Sequence, residues 1–163
     1  MKSSIAHNIK HRVVPNDEFN TSIELIKTLI PLVPIKQNDI VMDNAYGTGN
    51  WFSNLPNAIY SKDFFNDNRI VDWYVTNPPY SKLNKWLEKS CQARKGFAYL
   101  LGLHNITPRR IEMCKDFGIT KIHLCKVFKW YGISAFIIWE KGKQGIINYD
   151  RTVWRDDMKE RIK

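Results

Sequence analysis

Cysteine is scarce in this sequence, and its three cysteines are odd in number and lack C-x-x-C spacing: Cys91, Cys114 and Cys125. This set argues against a disulfide framework and against a zinc cluster, and it is typical of a reducing, intracellular compartment. Long apolar runs are also missing, since none approaches the ~20 residues of a membrane-spanning helix. The polar start, residues 1–7, lacks the apolar segment of a signal peptide. We therefore expect a cytoplasmic protein with no metal site and no membrane partner.

Acidic residues are the minority among the charged residues, with 16 Asp and Glu against 25 Lys and Arg, so the formal net charge is +9. A basic excess of this size favours a polyanionic partner, usually nucleic acid. The 163 residues fit one domain, and they contain no linker, internal repeat or low-complexity tract. We expect a single domain over residues 1–163, including a basic arm at 1–18 and a charged tail at 145–163.

Helical and strand patterns alternate along the chain. Residues 21–24, Thr-Ser-Ile-Glu, match the S/T-x-x-E capping box, and apolar residues follow them at helical spacing. Further helices are predicted at residues 51–56, 81–93 and 107–117, and Gly118 would stop the last of them. Strands are predicted at residues 39–44, 58–61, 72–76, 96–103, 121–128 and 134–140. The alternation predicts an α/β fold with a mainly parallel sheet and helices on both faces. The last two strands have no room for a helix between them and should pair antiparallel.

An Asn-Pro-Pro-Tyr motif at residues 77–80 directly follows the predicted strand 72–76. Two prolines remove two backbone donors and fix the chain where it leaves the sheet, at the edge where open α/β sheets bind ligands. The Asn77 side-chain oxygen and the Pro78 carbonyl can accept both hydrogens of an amino group, while Tyr80 stacks on the ring that carries it. These contacts draw the nitrogen towards tetrahedral geometry, so its lone pair can attack a methyl group.

A glycine-containing segment, residues 43–49, ends the first predicted strand and reads Asp-Asn-Ala-Tyr-Gly-Thr-Gly. Glycines let a ligand approach the backbone, and a carboxylate at a strand end can orient a cationic or hydroxyl group. The dinucleotide pattern G-x-G-x-x-G is not met because Phe52 stands at the third glycine position, which argues against a nucleotide-dependent oxidoreductase. Asn77 follows Asp43 by 34 residues, and the two segments together are far more specific than either alone.

In combination these segments resemble the S-adenosylmethionine-dependent amino-methyltransferases, specifically the DNA adenine-N6 methyltransferases. Residues 43–49 are similar to their cofactor motif Asp-x-x-x-Gly-x-Gly, and residues 77–80 to their catalytic Asp/Asn-Pro-Pro-Tyr/Phe. Residues 18–22, Glu-Phe-Asn-Thr-Ser, resemble the upstream cofactor segment Phe-x-Thr-Pro, with Ser22 in place of proline. The order of the three segments is that of the family's gamma-like arrangement, and the resemblance covers about residues 17–140.

The resemblance implies a compact Rossmann-like methyltransferase fold without a separate recognition domain. It also implies methyl transfer from S-adenosylmethionine to N6 of adenine in DNA, with no metal and no covalent intermediate. The implied catalytic residues are Asn77, Pro78, Pro79 and Tyr80. The implied cofactor-binding residues are Phe19, Thr21, Asp43, Ala45, Tyr46, Gly47, Gly49, Asp63 and Phe64. Tyr80 would contact the extruded base, with Phe128 or Trp130 as a second aromatic.

Asp63 has two possible counterparts in the family. It lies 20 residues after Asp43, where the ribose-binding acid usually falls, but with Phe64 it also resembles the later Asp-Phe segment that touches the adenine of the cofactor. Only 14 residues separate Asp63 from Asn77, too few for the usual strand and helix. The stretch at Asp63 therefore resembles two family segments merged into one.

The family's usual recognition domain has no counterpart here. Target recognition would then be slight, or come from the basic arm or from a partner protein, and the compact size suits an enzyme of a virus or mobile element. A phosphate track could include Lys82, Lys85, Arg109, Arg110, Lys126 and Lys129. Three alternatives stay open: the same chemistry on RNA adenine or guanine, the same chemistry on a release-factor glutamine amide, and a non-catalytic subunit of a methyltransferase complex.

Overall fold

The computed structural model describes residues 20–126 and 133–150. Within these ranges, three α-helices are formed: α1 (Ile23–Leu29), α2 (Leu83–Ser90) and α3 (Pro108–Met113). One sheet contains β1 (Val41–Asp43), β2 (Ala58–Tyr60), β3 (Trp73–Thr76), β4 (Gly96–Gly102), β5 (Phe117–Cys125) and β6 (Ser134–Lys141). Short 3-10 turns occupy Ile30–Leu32, Phe52–Asn54, Phe64–Asn66, Tyr80–Lys82 and Leu103–Asn105.

The strand order is β2-β1-β3-β4-β6-β5. The first four strands are parallel, and β6 is antiparallel to both β4 and β5. The mainly parallel sheet with an antiparallel last pair is therefore confirmed. Because β5 runs in the same direction as β4, the carboxyl ends of β1 to β5 and the start of β6 lie along one side of the sheet, here called the carboxyl edge.

Apolar side chains cover both faces of the sheet. One core cluster joins Met42, Phe97 and Leu101 to residues of α2, and the second joins Val41, Val75 and Ile138 to residues of α1. All seven residues of β4 are buried, as expected for a central strand with both faces covered. None of the helices in the described ranges has the length and apolar character needed to cross a bilayer.

The connection between β2 and β3 is short, in agreement with the spacing in the sequence. In place of a strand and a helix it holds the turn Phe64–Asn66, and β2 is left as an outer strand of the sheet. The predicted helix at 51–56 is wrong in type, because that segment forms only the 3-10 turn Phe52–Asn54.

The predicted role of Gly118 as a helix stop is wrong. Helix α3 ends at Met113, and Gly118 lies inside β5, opposite Glu140 of β6. Its neighbours Phe117 and Ile119 are buried, so packing onto the sheet decides the conformation of this segment. The space above Gly118 is filled by the chain beyond β6: a Cβ there would lie 2.2 Å from the Lys143 carbonyl oxygen.

Gly118→Ala should lower the free energy of unfolding by about 1–3 kcal/mol, because the added methyl group overlaps backbone that must shift. His123→Ala, at an exposed position of the same strand, should change it by no more than about 0.5 kcal/mol. Urea unfolding of both variants checks this. Equal stability of the two variants would contradict the packing described for Gly118.

Candidate active site

The Asn-Pro-Pro-Tyr motif leaves the sheet at the carboxyl end of β3, as the sequence predicts. Asn77 directly follows Thr76, the last residue of β3, and Pro78 is buried. Tyr80 begins the turn that leads into α2, and its hydroxyl donates to the Leu100 carbonyl oxygen of β4 at 3.4 Å. The motif is therefore held between two neighbouring strands at the carboxyl edge.

Thr21 connects the upstream segment to this motif. Its hydroxyl oxygen accepts from Trp51 Nε1 at 3.2 Å and, over a longer 3.4 Å, from Asn77 Nδ2. Its carbonyl oxygen accepts from Asn50 Nδ2 at 3.0 Å. Thr21 is only 7% exposed and does not cap α1. Ser22 is the N-cap, accepting from the Leu25 backbone, so the predicted capping box is wrong because tertiary partners take the Thr21 hydroxyl.

Asp43 is fully buried at the end of β1 and holds the glycine-containing segment in place. Its oxygens accept from the Ala45 amide at 3.2 Å, the Phe52 amide at 3.1 Å and the Thr76 hydroxyl at 2.7 Å. Burial raises the pKa of Asp43, and these three donors oppose that rise. Since Asp43 has no exposed surface, it is a positioning residue here and does not line an open pocket, contrary to the expectation from sequence.

Two glycines in this segment adopt a backbone conformation that side chains disfavour. Gly47 has φ +49° and Gly49 has φ +80°. A Cβ on Gly49 would lie 2.9 Å from the Tyr46 hydroxyl. The Gly49 amide donates to the Tyr46 carbonyl oxygen at 2.6 Å, which closes a tight turn. The backbone of this turn is therefore accessible to a ligand without an intervening side chain at Gly47, which is exposed.

An open groove of about 800 Å³ runs along β2 and past its carboxyl end. Phe52 and strand β2 line one part of it, and residues 61–63 and 66–69 line the rest. The Tyr60 ring stacks obliquely on Tyr46, with 4.4 Å between centroids. Asp63 stands exposed on the wall and accepts from Asn66 Nδ2 at 2.7 Å. Aromatic rings beside a carboxylate and an open glycine turn can hold a nucleoside. The rings can contact the base, and the carboxylate can accept from the sugar hydroxyls.

The groove and Asn77 lie at the ends of strands two places apart. Strands are spaced ~4.8 Å, so the end of β2 and the end of β3 are separated by about 10 Å, with the glycine turn after β1 between them. One extended ligand of nucleoside size or larger can therefore reach from the groove to Asn77.

Phe64 is in the core and does not line this groove. It is 3% exposed and packs on Tyr74 and Trp86, with ring centroids 5.1 and 4.9 Å away. The predicted contact of Phe64 with a ligand is therefore corrected to core packing, which the neighbouring apolar residues of α2 favour. Phe19, Phe128 and Trp130 lie outside the described residues. The described residues on either side of 127–132 are at the carboxyl edge, because β5 ends there and β6 begins there.

Two residues of the site were missed by reasoning from sequence. Thr76 bonds the buried carboxylate of Asp43, and its position just before Asn77 was the available signal. Asn44 donates to the Tyr99 hydroxyl at 2.8 Å, which in turn lies 2.5 Å from the Ser90 hydroxyl. The Asn44 Oδ1 atom is buried with no hydrogen-bond partner among the described residues. Nothing in the sequence marks this chain of contacts, because its members are far apart in sequence.

The solved structures that resemble the chain include two methyltransferase structures. The crystal structure of the 23S rRNA methyltransferase ErmE matches with a TM-score of 0.55 and 11% identity, over 81% of this chain and 73% of that one. The chain has a methyltransferase fold. One chain in the structure of the E. cuniculi Mtq2-Trm112 complex, responsible for methylation of the eRF1 translation termination factor, matches with a TM-score of 0.51 and 13% identity, over 78% of this chain and all of that chain. No family model matches this methyltransferase-fold sequence, and no curated protein does.

Thr76→Val should cost about 1.5–3 kcal/mol of stability at neutral pH, because it removes a donor from a buried carboxylate. The cost should be smaller at about pH 3.5, since the Asp43 carboxyl group is then protonated in the native state and needs that donor less. Its native pKa is raised, so the loss is largest above that pKa. Urea unfolding at both pH values measures the difference.

Thr28→Val is the matched control, because the Thr28 hydroxyl is exposed and donates only to the Glu24 carbonyl of its own helix. Its cost should be small and independent of pH. A pH-independent cost for Thr76→Val would contradict the role given to the Asp43 carboxylate.

Proposed function

We propose that the chain transfers a methyl group from S-adenosylmethionine to the N6 amino group of adenine in nucleic acid, with DNA as the first substrate. The observation that carries this is the position of Asn77, at the end of β3, with its amide nitrogen on Thr21 and the glycine turn of β1 beside it. The methyltransferase fold supports a reacting group at that strand end, because open α/β sheets bind ligands at the carboxyl ends of their strands.

The groove and the glycine turn would together hold S-adenosylmethionine. Asp63 would accept from the ribose hydroxyls, the Tyr60 wall would contact the adenine ring, and the exposed backbone at Gly47 would face the methionine part. Thr21, Asp43, Ala45, Tyr46 and Gly49 would keep that turn in place. When bound, S-adenosylmethionine supplies a methyl group on a positively charged sulfur.

The Asn-Pro-Pro-Tyr motif would prepare the acceptor nitrogen. The Asn77 Oδ1 atom and the Pro78 carbonyl would accept the two N–H bonds of the amino group, and Pro79 would fix the backbone between Pro78 and Tyr80. The Tyr80 ring, held by its hydroxyl on Leu100, would stack on the base. The bond from Asn77 Nδ2 to Thr21 directs the nitrogen end of the amide towards Thr21. Catalysis would then be mostly positioning, as geometric alignment alone can lower a barrier by several kcal/mol.

DNA is the first acceptor to test because the motifs resemble those of the DNA adenine-N6 methyltransferases. RNA is the second, since ErmE, by its name, is an rRNA methyltransferase. A partner protein that supplies target recognition is also part of the proposal, and Mtq2 forms a complex with Trm112. Reducing, cytoplasmic surroundings, in a bacterial or a virus-infected cell, would suit three free cysteines.

Asn77→Ala should reduce methyl transfer at least 100-fold, because the amino group loses one of its two acceptors, while affinity for S-adenosylmethionine stays within a few-fold. The assay incubates the protein with labelled S-adenosylmethionine and unmethylated genomic DNA, or with rRNA, and identifies the nucleosides by mass spectrometry. Calorimetry measures cofactor binding on the same samples.

Asn38→Ala is the control, since Asn38 is exposed and far along the chain from the motif. Full activity of the Asn77→Ala variant would refute the catalytic assignment. Methyl transfer to RNA and not to DNA would show that RNA is the acceptor. Cofactor binding without transfer to either nucleic acid would favour a protein amide or a missing partner subunit.

A further inference from the structure

Charge is distributed unevenly along the carboxyl edge. The segments that follow β3 and β4, residues 77–85 and 103–111, contain no Asp or Glu. They carry Lys82, Lys85 and Arg109, all exposed, and Lys126 is exposed directly after β5. Two acids of this edge, Asp63 and Asp67, lie at the opposite end of the sheet, on the groove after β2, and Asp43 at the end of β1 is buried. The edge is therefore mixed in charge at the groove and basic from β3 onwards.

The opposite edge of the sheet carries both signs. Residues 36–40 and 114–116 each contain a base and an acid, and Asp72 and Lys95 directly precede β3 and β4. Arg69 pairs with Asp67 and Lys95 with Asp39, and neither ion pair involves Lys82, Lys85, Arg109 or Lys126. The net charge of +9 does not by itself predict that one edge has both signs while part of the other edge has exposed bases only.

Arg110 does not belong to the exposed basic set, although the sequence placed it there. Its Nε donates to Asn84 Oδ1 of α2 at 2.8 Å, and its Nη1 donates to Asn105 Oδ1 at 2.7 Å and to the Asn105 carbonyl at 3.0 Å. This half-buried guanidinium ties the segment after β3 to the segment after β4. Lys85 follows Asn84 and Arg109 precedes Arg110, so these hydrogen bonds fix the backbones of Lys85 and Arg109 relative to each other.

We propose that Lys82, Lys85, Arg109 and Lys126 bind the sugar-phosphate backbone on either side of the nucleotide whose base enters the site at Asn77 and Tyr80. The inference rests on the proposed function for the position of that base. The ends of β3 and β5 are three strand spacings apart, about 14 Å, which is the length of a few nucleotides. A flexible ammonium group suits a phosphate contact without base preference, so this surface positions the strand and does not read its sequence.

The experiment compares two double variants with the same change in net charge. Lys82→Ala/Lys85→Ala alters the proposed surface, and Lys115→Ala/Lys143→Ala alters two exposed lysines at the opposite edge. Binding of fluorescein-labelled 20-mers is followed by fluorescence anisotropy between about 50 and 200 mM salt. The probes are single-stranded DNA, duplex DNA and RNA of one sequence.

The first double variant should bind at least 10-fold more weakly at low salt. Its plot of log K against log salt should be shallower by about 1.8 on duplex DNA, or about 1.4 on a single strand, because two phosphate contacts are lost. The control should keep the slope of the unaltered protein. In the methylation assay the first variant should raise KM for the nucleic acid and leave kcat within a few-fold.

Equal losses in both double variants would overturn the proposal, since overall charge would then explain binding. Absence of binding to all three probes, with calorimetric binding of S-adenosylmethionine intact, would also overturn it and would favour a protein acceptor. The converse result, slope-changing binding of the probes without any binding of S-adenosylmethionine, would support this surface and refute the proposed methyl transfer.

Discussion

The buried carboxylate of Asp43 joins the elements on which the candidate site depends. It fixes the glycine turn after β1 through two backbone amides and reaches β3 through the Thr76 hydroxyl, one residue before Asn77. A charge of this kind is costly to bury, and each hydrogen bond to it offsets about 1.5–3 kcal/mol of that cost. One buried residue, Asp43, therefore holds the glycine turn and the Asn-Pro-Pro-Tyr motif together. In the proposed function it would contact neither S-adenosylmethionine nor the acceptor base.

A second set of contacts fixes the motif from the other side. The Thr21 hydroxyl accepts from both Trp51 and Asn77, so the segment before α1 restrains the amide at the end of β3. Tyr80 is held on β4 through Leu100. This rigidity is what a mechanism based on positioning requires, because small displacements of the accepting oxygens would weaken both contacts to the amino group.

The carboxyl edge divides into regions with different chemistry. The groove after β2 combines aromatic rings with Asp63, while residues 77–85 and 103–111 contain no Asp or Glu and carry exposed bases. A small cofactor and a polyanionic acceptor can therefore approach one reacting position from opposite ends of the sheet. The short connection between β2 and β3 leaves little chain for recognition of a target, which is consistent with a backbone-binding surface and with help from a partner.

The sequence by itself determined the strand alternation, the antiparallel last pair and the position of Asn77 at a strand end, because periodicity and proline act locally. Tertiary structure decided the rest. Phe64 lies in the core, Gly118 lies in a strand and Thr21 lies in the site. In each case, contacts with residues distant in sequence outweigh a local preference. The burial of Asp43 and the anchoring of Arg110 are of the same kind: both depend on hydrogen bonds between separate elements, which no local pattern encodes.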